Sequence, residues 1–259
     1  MPFPCQSLLI AAAFATTPCT PSHPLLMNEN SANTSTDAPH RGASPVLQPI
    51  RGADLNFRGF VGRRIAANER NWLMTAPESN PAMIQMFLDR ERVPGHDLLP
   101  WSGEFAGKYL TSAVEGYRLT RDHALKEEIK RFVADLVASQ ASDGYMGPFS
   151  MGSRMLGHGL WDLWGQYHCM LGLLRWYEET GDATAFAACR RTADYFCRFF
   201  LDETHRVWDA DSYEMNESCI HVLALLYEKT GEPRYLRLVR EIEKDISTPP
   251  SGRLRPRGG

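Results

Sequence analysis

The chain has 259 residues, a formal net charge of −3 and an apolar fraction of 43%, which is the profile of an ordinary globular protein able to bury one sizeable core or two small ones. The slight acidic balance excludes a nucleic-acid partner held through phosphate contacts, which needs a strong basic excess. No apolar run approaches the roughly 20 residues of a membrane-spanning helix, so no membrane partner is expected.

Residues 1–50 are rich in Ser, Thr, Pro, Asn and Ala without a sustained period and read as a disordered or signal-like segment. Leu8–Ala15 has the apolar character of an export signal, yet no Lys or Arg precedes it. A start at Met27 is the second reading, so the compartment stays open between cytoplasm and export. Ordered structure is expected from about Phe57. Helical spacing of apolar residues runs over Gly59–Met74, and Pro81 opens a second short helix at a first-turn position that proline tolerates. Val93–Pro100, with two prolines and a glycine, reads as a loop.

One pattern then occurs three times: YRLTRDHAL from Tyr117, YEETGDATAF from Tyr177 and YEKTGEPRYL from Tyr227. An apolar helix ends at Thr120, Thr180 or Thr230, a turn follows, and a second helix starts behind an acidic residue or a proline. Repetition at this period means stacked supersecondary units. In the first unit Ser102 is the expected N-cap, and Phe105, Tyr109, Leu110, Ala113 and Tyr117 share one helical face. Its partner helix spans Asp122–Ser139. A Gly-rich turn, Ser142–Phe149, and a loop containing Arg154, His158 and Gly159 lead to the second unit. There Trp161–Glu179 is apolar nearly all round, as a helix buried on both sides would be, with Gly165 and Gly172 allowing close approach. Its partner, Ala183–Leu201, is amphipathic. The third unit pairs apolar Met215–Lys229 with charged Pro233–Ile246, and residues 247–259 read as a tail.

Apolar first helices and amphipathic second helices predict an all-α ring of helical hairpins, the first helices lining a central funnel and the second ones covering them; a helical solenoid gives a similar pattern. A closed ring takes about six hairpins and three are legible, which leaves an apolar edge uncovered. The expectation is a fragment, a truncated product or half of an assembly, completed by a second copy or by a missing C-terminal half.

The six cysteines, Cys5, Cys19, Cys169, Cys189, Cys197 and Cys219, form no C-x-x-C pair and do not suggest a disulfide framework. In a ring, the loops entering the inner helices converge on one mouth, so polar residues there are the candidate ligand-binding groups. They are Glu104 and Lys108 in the first unit, Trp161, Asp162, Tyr167 and His168 in the second, and Asp211, Glu214, Asn216, Glu217 and His221 in the third. Each has a plainer role open to it: an i,i+4 surface pair for Glu104–Lys108, a satisfied core histidine for His168, and helix caps for Asp162, Asp211 and Asn216. Carboxylates beside aromatics and histidine suit sugar binding and acid–base work at a glycosidic bond. Glu217, Cys219 and His221 cannot all face one ion from a single helix, because only i and i+3 or i+4 share a face; no metal is expected in this chain.

From about Val46 to Ile246 the chain resembles the beta-L-arabinofuranosidase-type glycoside hydrolases, glycoside hydrolase family 127 and its relatives. The resemblance rests on GFVGRRIAANERNWL, GEFAGKYLTSA, QASDGYMGPF, WDLWGQYHCMLGLLRWYEETGD and EMNESCIHVLALLYEKTGEPRYL, in that order. It implies an (α/α)6 barrel, about half of it present as an incomplete catalytic-type domain over 51–246, that removes L-arabinofuranose or related sugars from plant-type glycans. It also implies that His168 and Glu217 contact the carbohydrate substrate. Many members carry G-H-F-x-G-H-Y in the first inner helix, where this chain has Glu104 and Lys108. The family's machinery resembles a zinc-bound cysteine nucleophile with a glutamate acid/base in later hairpins. The resemblance thus allows zinc in the full-length family form but none in this chain, and little or no hydrolysis is expected of this chain alone. A uronyl hydrolase or sugar epimerase on the same ring, with Lys108 holding a carboxylate, and a non-catalytic helical-repeat module are the alternatives.

Overall fold

The computed structural model describes residues 53–95, 97–203, 205–210 and 213–247, all within one unit of the chain, Pro49–Gly259. The signal-like segment at 1–50, Asp211, and the tail beyond 247 lie outside the described residues. The described elements are all helical: α1 (Gly59–Asn68), α2 (Ala76–Ser79), α3 (Ala82–Leu88), α4 (Glu104–Thr120), α5 (His123–Ala138), α6 (Asp162–Thr180), α7 (Ala183–Cys197), α8 (Tyr213–Asn216), α9 (Ile220–Thr230) and α10 (Pro233–Ser247).

The repeated sequence pattern is a repeated turn. At the end of α4, α6 and α9 the residue after the threonine, Arg121, Gly181 or Gly231, takes a left-handed conformation (φ 55°, 78° and 68°). Its N–H donates to the carbonyl of Tyr117, Tyr177 or Tyr227. The threonine hydroxyl donates back to the carbonyl four residues earlier and accepts from the N–H of the following acidic residue. That acidic residue then caps the next helix: Asp122 accepts from Leu125 N–H at 2.7 Å, and Asp182 from Thr184 N–H at 2.9 Å. The left-handed residue satisfies an orphan carbonyl and the acidic residue satisfies orphan N–H groups, so the motif ends one helix and starts another. It recurs because each hairpin needs that reversal.

The three hairpins, α4–α5, α6–α7 and α9–α10, stand side by side. The inner helices α4, α6 and α9 pack in sequence, with the extensive α4–α6 contact at the centre; the outer helices α5, α7 and α10 pack in a second layer. Leu110, Ala113 and Val114 of α4, Met170, Leu173 and Leu174 of α6, and Val222, Leu223 and Leu226 of α9 form one continuous core with the inward faces of the outer helices. Glycines set the α4–α6 spacing. A Cβ on Gly107 would fall inside the backbone at His168 and Cys169, and one on Gly165 would stand 3.0 Å from Gly103. Gly172 lies against Leu110. Gly107 belongs to this set although the pattern of the sequence drew attention only to Gly165 and Gly172.

Opposite the mouth, the C-terminal ends of the inner helices are tied by ions. Glu178 accepts from Arg175 and Lys229, each at 2.8 Å, and Glu179 accepts from Arg118 at 3.0 Å and from Arg121. These residues come from all three hairpins. Burial alone would raise both carboxyls, but hydrogen bonds from their cationic partners outweigh it and hold them below the ordinary carboxylate range.

Four expectations need correction. Gly59–Met74 is not one regular helix: α1 passes into a π-turn at Glu69–Leu73, and α1 buries no residue, leaving Phe60 and Val61 exposed. Ser102 is not the N-cap of α4; Gly103 holds that position without a side-chain cap, because the start of the helix is set by its backbone approach to Gly165. Phe105 is exposed rather than on the buried face. The third inner helix is interrupted, α8 meeting α9 through a 3₁₀ turn at Glu217–Cys219.

Candidate functional site

The first turns of α4 and α6 and the α8–α9 junction come together at one end of the inner helices, the end that the sequence reading takes as the mouth. Close α4–α6 packing brings Glu104 and Lys108 against Trp164 and His168, one turn apart on each helix. Glu104 is 8% exposed, and its Oε2 accepts from the indole N–H of Trp164 and pairs with Lys108 Nζ at 2.8 Å. The Lys108 ammonium also sits 5.3 Å from the centre of the Trp164 ring, a cation–π contact. Trp164 stands edge-on to His168, ring centres 4.4 Å apart, and Tyr167 covers another side of the imidazole at 4.8 Å. The Tyr167 hydroxyl lies 3.0 Å from His221 Nδ1, which joins the third hairpin to the wall.

His168 is not a satisfied core histidine. Its Nε2 is buried with no hydrogen-bond partner among the described residues. Burial, and then the charge of Lys108, bring its pKa down to about 4, with Glu104 pulling weakly the other way. At neutral pH the ring is therefore uncharged, with one nitrogen available as a hydrogen-bond donor or acceptor according to tautomer. Burial likewise lowers His221, helped by Arg175.

Two other candidates face inward. Asp162 is 1% exposed: its Oδ1 accepts from the Tyr145 hydroxyl at 2.9 Å and its Oδ2 from Met155 N–H at 2.7 Å. It holds the 142–160 loop to α6, including the left-handed backbone at Met155 (φ 71°). Burial pushes its carboxyl up to about 6, against the pull of those donors. Asn216 is fully buried and caps a helix other than its own. Its Oδ1 accepts from Leu163 N–H at 3.1 Å and Trp164 N–H at 3.4 Å in the first turn of α6, while its Nδ2 donates to Leu160 O at 3.0 Å. The third hairpin thus completes the start of the second. Trp161 packs on Trp101, ring centres 5.3 Å apart, at the rim. Glu217 is half-buried and Glu214 exposed. Trp164, which sequence reasoning missed, had one available signal: it lies four residues before His168 and so on its face.

Zinc, which the full-length family form would carry, does not fit the residues described. Among them no group of three or more His, Cys, Asp and Glu side chains is placed to hold an ion. Cys169, Cys189, Cys197 and Cys219 are buried free thiols, and burial raises all four, opposing the thiolate that binds metal. Among the described residues no helix is long and apolar enough to cross a membrane.

The sequence profile of one family, described as Beta-L-arabinofuranosidase, GH127 catalytic domain, matches residues 59–252. A search of curated proteins returns no match. Among solved structures, a GH127 beta-L-arabinofuranosidase from Geobacillus stearothermophilus T6 aligns with a TM-score of 0.55 at 19% identity, over 73% of this chain and 32% of that one. A second GH127 beta-arabinofuranosidase aligns with a TM-score of 0.54 at 15% identity, over 72% of this chain and 32% of that one. The chain thus spans about a third of the length of these relatives, and the likeness is one of fold. By its ordered motifs, its helical hairpins and the profile match, this chain belongs to the GH127 beta-L-arabinofuranosidase catalytic-domain family.

Proposed function

We propose that these hairpins are the substrate-binding wall of a glycoside hydrolase acting on L-arabinofuranosyl or related plant-type glycans. The observation that carries the reading is the buried, unpartnered Nε2 of His168 among Lys108, Trp164 and Tyr167. A buried polar atom left unsatisfied is costly to the fold, and a sugar hydroxyl has the polarity to satisfy it once the covering Trp164 or Tyr167 ring shifts aside. The half-exposed faces of Trp164 and Tyr167 offer apolar surface to the C–H face of a furanose ring. Lys108, Glu217 and His221 stand at the same mouth as further contacts. Asp162, Asn216 and Trp161 support it from behind and from the rim. Glu104 neutralises Lys108, which weighs against the uronate-binding alternative.

Hydrolysis needs a nucleophile or an activated water together with a proton donor. The protonated buried thiols supply no nucleophile, so the role proposed for the chain by itself is binding. The test is titration of methyl β-L-arabinofuranoside into the chain, followed by NMR. Binding that perturbs His168 and weakens about tenfold in His168→Leu, the loss of one hydrogen bond, supports the reading. Equal binding by wild type and variant, or binding of galacturonate in preference to the arabinofuranoside, would overturn it.

A further inference from the structure

Glu104 occupies a position where a substrate contact was expected, yet its carboxylate is nearly buried and is used within the protein. One oxygen, Oε2, receives both the Trp164 indole N–H and the Lys108 ammonium. Each of those partners bears on His168. Trp164 meets its ring edge-on at 4.4 Å, and Lys108 is a positive charge close enough to oppose a second one on the imidazole. The other groups around His168 do not compensate. Tyr167, on the same helix, packs against the ring and directs its hydroxyl to His221 of the third hairpin, at 3.0 Å. His221 is itself held neutral by burial and by Arg175. Among the described residues, the carboxylate acting on the imidazole is that of Glu104, already engaged by Lys108 and Trp164.

We infer that Glu104 and Lys108 are positioning residues for His168: Glu104 fixes the indole that packs edge-on against the imidazole and pins the Lys108 ammonium against that same indole. The arrangement resolves a conflict inherent in the wall. A histidine that is to hydrogen-bond a neutral hydroxyl through a buried nitrogen must not acquire a charge in mildly acidic surroundings, and burial is the main safeguard. An adjacent cation strengthens it. A free lysine would be mobile and would attract anions, and the Glu104 carboxylate removes both problems. This inference rests on the reading of the wall as ligand-facing, but its test uses no sugar.

The test is side-chain NMR of the full chain, with the His168 signals identified by their loss in His168→Gln and the Trp164 indole signal by its loss in Trp164→Phe. In the wild type His168 is expected to titrate near pH 4, well below the ordinary 6.5. Lys108→Met is expected to move that midpoint upward toward 6.5, and Lys108→Arg to restore it. Glu104→Gln, which keeps the shape but not the charge, is expected to move the Trp164 indole N–H resonance upfield and to shift the His168 signals. Circular dichroism establishes that each variant is folded. Lys108 is 43% exposed at its side chain, so its replacement leaves the core intact. A His168 midpoint unchanged in Lys108→Met, or a Trp164 indole resonance unchanged in Glu104→Gln, would overturn the inference. Loss of sugar binding with these titrations as expected would instead count against the functional reading alone.

Discussion

The two ends of the inner helices are built from similar residue types and do opposite things. At the C-terminal ends, Arg118, Arg121, Arg175 and Lys229 converge on Glu178 and Glu179, four cations sharing two carboxylates across three hairpins. At the N-terminal ends one carboxylate serves one ammonium, two aromatic rings are half-exposed, and a histidine nitrogen has no partner. One end is saturated and holds the ring segment together. The other retains unmet bonding capacity, at a cost in stability that a ligand can return. The difference teaches that similar residue types can close one end of a helix layer with ion pairs and leave a polar atom without a partner at the other.

Substitutions should separate the two ends, and the largest effect is expected where both depend on one contact. Gly107→Ala forces α4 away from the backbone of His168 and should cost about 3 kcal/mol of unfolding free energy as well as disordering the mouth. Urea denaturation with NMR of His168 measures both. At the saturated end, Glu178→Ala removes the shared partner of Arg175 and Lys229 and should cost about 2 kcal/mol, with arabinofuranoside binding unchanged. A binding loss equal to the stability loss would dissolve the distinction between the ends. Asn216→Ala should cost about 1–2 kcal/mol through loss of the cap on α6, visible as a lowered thermal midpoint. At the open end, His168→Leu removes an unsatisfied polar atom and is expected to raise stability by about 1 kcal/mol while weakening arabinofuranoside binding about tenfold. Destabilisation by that change would show that His168 is a structural residue.

Acid sharpens the comparison with the smallest effect. His168, lowered from 6.5 to about 4, contributes stability that is present above pH 6.5 and lost as pH falls toward 4. Glu178 and Glu179, lowered from 4.5, contribute stability that is present above that value and lost as pH falls through their folded-state values. Asp162, raised from 3.8 to about 6, acts in the opposite sense: its contribution is present below 3.8 and lost as pH rises through 6. Between pH 6.5 and 4 the losses and the gain oppose each other, so Asp162→Asn should lose stability on acidification more steeply than the wild type. Urea midpoints at pH 7 and pH 5 measure the difference.

The sequence by itself determined the hairpins. A threonine, a residue able to take the left-handed conformation and an acidic cap within four positions dictate a helix reversal through local hydrogen bonds, and the apolar periods on either side fix which helices are inner and which outer. Local interactions of this kind are written in consecutive residues and are legible there. The mouth was legible only in part. His168, Tyr167, Lys108 and Glu104 were visible as polar residues at the start of inner helices, but their roles follow from α4 lying on α6 at glycine distance, a relation between residues 60 positions apart. Only the tertiary structure decided that Asp162 binds a loop, that Asn216 caps a neighbouring hairpin and that Trp164 is the ring between Glu104 and His168. Caps and carboxylates look alike in sequence because the groups they satisfy are supplied by distant backbone. Packing of distant segments decides which buried polar atom finds a partner and which does not.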